Sequence, residues 1–228
     1  VNCRGQVVYI DPFFGPSVNP KFTRRFDPLL DPTEIGRAVA VLITHEHRDH
    51  CDGTTLRALE SRVRPRYALP SSAHTVMREE HQLDVPSERT EVVEPGAHLS
   101  IGELNVLVFP SSDRTAQEAV SYLIATPDGT LFHAADSLNV PGFFEEVGRH
   151  SIELAFVPLG TNPPGMNVYP GYDDFLAMSR EIGAEVTVPV HWDLWEEGYL
   201  DARELVRRDL DLNVHYMERG ESISLPRS

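Results

Sequence analysis

The stretch VLITHEHRDHCDG, Val41 to Gly53, sets three histidines, three carboxylates and a thiol directly behind an apolar run. Ala38–Ile43 is short and rich in Val, Ile and Leu, which reads as a buried strand. Just beyond a strand the chain is still extended, so side chains two apart point to one side. His45 and His47 can therefore share one ion. Asp49 and His50 follow in the turn that leads to a helix near Thr54 and face a neighbouring point. Two other histidine chemistries do not fit. A zinc-protease H-E-x-x-H needs a histidine at position 49, where Asp49 stands, and needs a helix. His47–Arg48–Asp49 matches the H-x-D half of a two-histidine, one-carboxylate iron site, but gives His45 and His50 no task. A solvated turn without metal accounts poorly for so dense a set of ligand side chains.

The whole chain is 228 residues with a formal net charge of −15, and Lys21 is its only lysine. Phosphate-backbone binding depends on clustered Lys and Arg, so no nucleic-acid partner is expected. A small anionic substrate held by one or two local arginines remains compatible. The chain can bury a full core, and a single domain over 1–228 is expected. No apolar run suits a membrane span and no signal peptide is visible, so no membrane partner is expected. Cys3 and Cys51 make no disulfide framework, which points to a reducing cytoplasm. The composition leaves a homo-oligomer open.

Strands are expected at Val7–Ile10, Ala38–Ile43, Arg66–Leu69, Leu104–Phe109, Ala119–Ala125, Thr130–His133, Leu154–Val157, Glu185–Val190 and Val214–Met217. Asp-Gly within Thr126–Thr130 signals a tight hairpin, and Asn2–Gly5 signals another. The strand before that first turn is nearly absent, so a truncated N-terminal strand is expected. Helices are expected at Thr54–Arg62, Ser72–Gln82, Tyr172–Ile182 and Asp201–Arg208, with Asp52 or Thr54 capping the first. Hairpins mixed with helices indicate an α/β or α+β sandwich of two sheets with helices outside.

A two-ion site needs further ligands, and three more strand ends supply them. Asp113 lies a few residues beyond the strand Leu104–Phe109, Asp136 just after Thr130–His133, and His191 at the tip of Glu185–Val190. One common rim would gather all of these with the opening motif.

Taken together, these residues resemble the metallo-β-lactamase-fold hydrolases. The H-x-H-x-D-H motif of that family matches His45, His47, Asp49 and His50. Its later bridging aspartate matches Asp136, and its last ligand histidine matches His191. Tyr9–Pro12 (YIDP) resembles the early strand whose aspartate, here Asp11, supports the motif loop from behind. The resemblance implies a four-layer αβ/βα sandwich. Where most members carry a histidine before the bridging aspartate, this chain has Asp113. Its surroundings, DRTA and later VPVHWDLW, resemble the L-ascorbate-6-phosphate lactonase branch of manganese-dependent hydrolases. An aspartate in that place makes the site harder and oxygen-richer, favouring Mn2+ over Zn2+.

The resemblance implies two divalent metal ions, one on His45, His47 and Asp113 and one on Asp49, His50 and His191, with Asp136 between. A bridging water would have its pKa lowered from ~15.7 towards ~7. The resulting hydroxide would attack a lactone or small ester carbonyl, with Asp49 and Asp136 as catalytic carboxylates. Arg114 is the first candidate for the substrate's anionic group because guanidinium offers a bidentate fork, with Arg48, Lys21, Arg24 and Arg25 in reserve. Asn162 and Tyr169, in the Pro/Gly-rich loop Gly160–Tyr172, are candidates for polar substrate contacts. Trp192 and Trp195 flank His191 and are expected to pack. Cys51 is expected to act as a small buried hydrophobe. The competing readings are a phosphodiesterase or tRNA-processing nuclease on the same scaffold, disfavoured by charge, and a metal-free scaffold protein.

Overall fold

Both faces of the strand behind the opening motif are buried, which is why its apolar run is continuous rather than alternating. Ala40 and Leu42 enter one core, while Val41 and Ile43 enter another on the opposite face. The computed structural model describes residues 1–16, 21–209 and 211–225.

The first sheet holds five strands in chain order: β1 (Asn2–Cys3), β2 (Gln6–Ile10), β3 (Ala40–Leu42), β4 (Arg66–Leu69) and β5 (Thr90–Val92). β1 and β2 form a hairpin, and β2 through β5 run parallel. Helices α1 (Gly53–Arg62) and α2 (Ser71–Glu79) make the crossovers from β3 to β4 and from β4 to β5. The second sheet comprises β6 (His98–Ile101), β7 (Leu104–Pro110), β8 (Val120–Thr126), β9 (Gly129–His133), β10 (Leu154–Pro158) and β11 (Val186–Val190), again in sequence. β6 to β9 form an antiparallel meander, and β9, β10 and β11 are parallel. Helix α3 (Tyr172–Ile182) joins β10 to β11, and a short α4 (Leu205–Arg208) follows.

The layers are helix, sheet, sheet, helix. The central core brings Val8, Leu42 and Ala68 of the first sheet against Val106, Tyr122 and Ile124 of the second. α1 and α2 cover the first sheet through Leu56, Leu59 and Met77. α3 covers the second through Phe175, Met178 and Ile182. This is the αβ/βα sandwich expected from the sequence. Tyr122 also ties the sheets by a polar bond: its buried hydroxyl donates to the carbonyls of Ile43 (2.7 Å) and Ala68 (3.3 Å). Left unpaired, such a buried group would cost about 1–3 kcal/mol.

The topology decides where the site falls. β2 and β3 are parallel, and β7, β9 and β11 share one direction, so several strands open onto the same rim. Three residues at these strand ends adopt left-handed backbone: Asp11 (φ 44°), Ala135 (φ 54°) and His191 (φ 68°). That conformation is uncommon for non-glycine residues and costs of order 1–3 kcal/mol each. Its concentration at one rim marks a place where geometry is imposed by surrounding contacts.

Asp52 caps α1 as expected, accepting from the amides of Thr54 and Thr55. Some expectations change. Val214–Met217 forms no strand; only Val214 bridges Thr187 in an isolated pair. β5 and β6 escape the sequence reading because they are short edge segments of mixed polarity. α2 ends at Glu79 rather than Gln82, whose backbone is left-handed (φ 52°). Asp201–Arg208 begins as a 3-10 turn at Ala202–Glu204 before α4. The second hairpin turns on Pro127–Asp128, with Gly129 already paired to Thr126. Among the described residues no helix is long and apolar enough to cross a membrane.

Candidate metal centre

Asp11 organises the motif from behind. Its Oδ1 accepts the Thr44 amide (2.8 Å), and its Oδ2 takes the Thr44 hydroxyl (2.6 Å) and His50 Nδ1 (2.7 Å). The Thr44 hydroxyl, having given its proton to Asp11, can only accept from His45 Nδ1 at 2.9 Å. Both rings are thus fixed through Nδ1, with Nε2 aimed at the rim. A carboxylate behind a ligating histidine is the usual way such rings are oriented and made more basic.

Two groups of ligand atoms result. In the first, His45 Nε2 and His47 Nδ1 lie 2.9 Å apart, and Asp113 Oδ2 sits 3.6 and 3.7 Å from them. The other Asp113 oxygen is spent on the Thr115 amide and hydroxyl, which fixes the loop. In the second, His191 Nε2 lies 3.2 Å from Asp49 Oδ2 and 3.5 Å from Asp136 Oδ2. His50 Nε2 lies 3.2 Å from Asp136 Oδ2 and 3.6 Å from Asp49 Oδ2. The structure therefore brings His45, His47, Asp49, His50, Asp113, Asp136 and His191 to one place. Within it, His45–His47–Asp113 and Asp49–His50–His191 each present three ligand atoms within 4.8 Å of one another.

Among the described residues the buried His50 Nε2 has no hydrogen-bond partner. A bare, buried nitrogen facing two carboxylates is costly unless a proton or a cation takes the space between them. Nitrogen and oxygen donors at this spacing suit a divalent ion, so the residues fit the metal that the fold implies.

Charge follows the same division. Burial, the largest influence, and the neighbouring His50 push His45 down to about 3, so it stays neutral. Burial also opposes charge on His50 and His191, but Asp136 and Asp49 outweigh it and hold both above the usual histidine value. Burial would raise Asp11, Asp49 and Asp136, yet their histidine partners keep all three below the ordinary carboxylate value.

Glu46, Cys51 and Asp52 of the motif have structural tasks. Glu46 points away and binds the Ser72 hydroxyl and the Gln117 amide, fastening the motif to the Asp113 loop. Asp52 caps α1 and accepts the Gly15 amide at 2.8 Å. Cys51 is fully buried, and burial pushes its thiol pKa up, as suits an inert hydrophobe. His81 bonds the Cys51 carbonyl.

Other candidates separate clearly. Arg114 is exposed beside Asp113. The Asn162 amide is occupied by its own loop, donating to the Tyr169 carbonyl and accepting from Val168 and Tyr169 amides. Arg24 donates to the Gly15 and Phe13 carbonyls and lies over the Phe13 ring, so it braces the early loop. Arg25 pairs with Glu196 and lies over Tyr199. Trp195 does more than pack: its indole N–H donates to Asp49 Oδ2 at 3.3 Å. His133 is half-buried and lines the cavity beside Asp136. Neither role has a local sequence signal beyond proximity to a ligand.

A cavity of about 350 Å³ opens onto the second group, lined by Asp49, His50, His133, Asp136, His191 and Arg24 among others. A neighbouring recess of about 280 Å³ shares Asp49 and adds Arg48, Arg57 and Trp195.

Two facing sheets, outer helices and paired histidine–carboxylate groups on one rim define the fold of the metallo-β-lactamase-type hydrolases. The chain belongs to the beta-lactamase superfamily domain family, whose model matches residues 6–192. It is 29% identical over 196 residues to the "Probable L-ascorbate-6-phosphate lactonase UlaG" of Escherichia coli (strain SMS-3-5 / SECEC). That alignment covers 78% of this chain but 55% of the relative, so the chain spans little more than half the length of the curated relatives it matches. Among solved structures, it is similar to a "possible metal-dependent hydrolase" from Veillonella parvula DSM 2008, with TM-score 0.81 and 16% identity over 99% of this chain and 95% of that one. An isothiocyanate hydrolase from Delia radicum gut bacteria has TM-score 0.79 and 16% identity, covering 100% of this chain and 95% of that one. These structural likenesses concern the fold.

Proposed function

We propose that the protein is a metal-dependent hydrolase that opens a lactone or small ester of an anionic, sugar-derived substrate. The observation that carries the reading is the buried, unpartnered His50 Nε2 between Asp49 and Asp136, beside a second ligand group in the same cleft. The lactone is suggested by the name of the UlaG relatives. Two divalent ions would be held by His45, His47 and Asp113 and by Asp49, His50, His191 and Asp136, with Mn2+ favoured over Zn2+ by the aspartate at 113. When bound, such ions lower the pKa of water and make hydroxide available at neutral pH.

The chain's own residues do the rest. Asp11 keeps the His45 and His50 rings in register through Thr44 and Nδ1. Trp195 fixes one Asp49 oxygen, leaving the carboxylate to orient water and take its proton. The cavity and recess together suit a small molecule rather than a polymer. Arg24 lines the cavity, Arg48 and Arg57 line the recess, and Arg114 stands exposed beside Asp113; these are the cations available to an anionic group. The test is proton release in a pH-stat from manganese-reconstituted protein given L-ascorbate 6-phosphate, against a metal-stripped control. Metal-dependent acid release is expected. Its absence with metal bound would reject the lactonase reading and turn attention to phosphodiesters and other esters.

A further inference from the structure

The Pro/Gly-rich loop after β10 builds a seat for one side chain, Tyr169. Asn162 clamps the Tyr169 backbone from both sides, accepting its amide at 2.9 Å and donating to its carbonyl at 2.8 Å. Gly160 and Gly198 line the ring so closely that a Cβ on either would press on it. A Cβ at Gly160 would stand 3.0 Å from Tyr169 Cβ and Cγ, and one at Gly198 would stand 3.1 Å from Cε2. Neither glycine has a positive φ, so what they provide is space. Gly160 N donates to the Pro170 carbonyl, and Thr161 N to that of Gly198, closing the seat.

The ring lies against the imidazole of His191, centroid to centroid 5.1 Å, with Phe22 edge-on at 6.4 Å. Although Tyr169 is only 8% exposed, its hydroxyl makes no hydrogen bond with any described residue and is not sealed from solvent. Burial first, then Asp136, Asp49 and Asp113, push its pKa up. The three carboxylates of the two ligand groups thus all lie within electrostatic reach of this phenol. Tyr67 is a useful contrast: among the described residues its buried hydroxyl also lacks a partner, but it packs in the core with α1 and the groups that act on it are Glu60 and Arg89, not a ligand carboxylate.

We infer that Tyr169 is a catalytic hydrogen-bond donor, its ring held against His191 so that its O–H meets the substrate oxygen that gains negative charge during hydrolysis. The inference rests on the hydrolase reading above. As the oxygen of a water bonds to the carbonyl carbon, the C=O π pair moves onto the carbonyl oxygen and the water's proton passes to Asp49. Tyr169 donates a hydrogen bond to the new oxyanion and keeps its own proton. Donors preorganised at that point are worth far more in a desolvated cleft than in water.

The experiment compares wild type and Tyr169→Phe, which keeps the ring and its packing. It measures steady-state kinetics, metal content, melting temperature, and calorimetric affinity for a phosphonate mimic of the tetrahedral adduct on metal-loaded protein. Expected are a kcat lower by ~10²–10³-fold with KM nearly unchanged and phosphonate binding weaker by ~10-fold or more. Metal content and melting temperature should stay as in wild type. Wild-type kcat and phosphonate affinity in the variant would overturn the inference. If wild type itself hydrolyses no ester or lactone, the hydrolase reading fails and the phosphonate arm decides. Tighter binding by wild type then retains Tyr169 as an oxyanion donor, and equal binding or none by both proteins rejects it.

Discussion

The two ligand groups share a rim but are built on different electrostatics. His50 and His191 each face Asp49 and Asp136, and His50 has Asp11 behind it. His45 and His47 share a single carboxylate, Asp113, and His47 is 34% exposed. The second group is therefore already arranged around positive charge, whereas His45 in the first is held neutral. Coulombic energy between close charges grows as the dielectric falls, so the more buried, more acidic group should retain its ion more firmly. The asymmetry implies sequential loading.

Asp136→Ala should break this comparison most severely. It removes a carboxylate from both histidines of the second group, and metal affinity there should fall by more than ~100-fold. Metal content after gel filtration would show it; two equivalents retained would refute the asymmetry. Asp11→Asn comes next, with a loss of ~10–100-fold in metal affinity or activity. Because Asp11 orients His50 directly and His45 through Thr44, both groups should weaken. A loss confined to one would mean the Thr44 relay is idle.

Asp113→Ala should weaken the first group alone, leaving one equivalent bound after dialysis against a weak chelator. Loss of both ions would show that the two groups act as a unit. Arg114→Ala should have the smallest effect, since the side chain is exposed. A rise in KM for an anionic substrate of no more than ~5-fold is expected, in line with exposed ion pairs. A larger rise would make Arg114 the principal anion contact.

The same contrast has a pH signature. In metal-free protein His50 and His191 titrate above the ordinary ~6.5, so their stabilisation is full below that pH and fades as pH rises through their folded values. Asp11, Asp49 and Asp136 titrate below the ordinary ~3.9; their contribution is present above it and fades as pH falls through their folded values. His45 runs opposite to the other two histidines. Held neutral down to about 3, it loses its contribution as the unfolded histidine protonates below ~6.5. Bound ions would replace the protons on His50 and His191. The metal-free protein should therefore lose melting temperature as pH rises above neutrality, and the metal-loaded protein should not. Metal titrations near pH 7 in two buffers of different ionisation enthalpy should show proton release. Identical heats after dilution correction would argue against protonated histidines in the free site.

Leu42 and Asp52 illustrate what the sequence by itself determined. Apolar character, strand length and capping chemistry are properties of neighbouring residues, so the continuous run of β3 and the start of α1 could be read directly. The ligand types were equally plain, because each stands within a few residues of a strand end and short-range geometry fixes which way it emerges. Tertiary structure alone decided how those ends meet. Asp113 reaches His45 and His47, Trp195 reaches Asp49, and Asn162 turns inward to seat Tyr169. These contacts depend on sheet order, on the packing of one sheet against the other and on left-handed backbone at Asp11, Ala135 and His191. The Asp113 and Trp195 contacts also join residues far apart in the chain, for which no local periodicity carries information. Local chemistry names the parts, and the long-range hydrogen-bond register sets the distances between them.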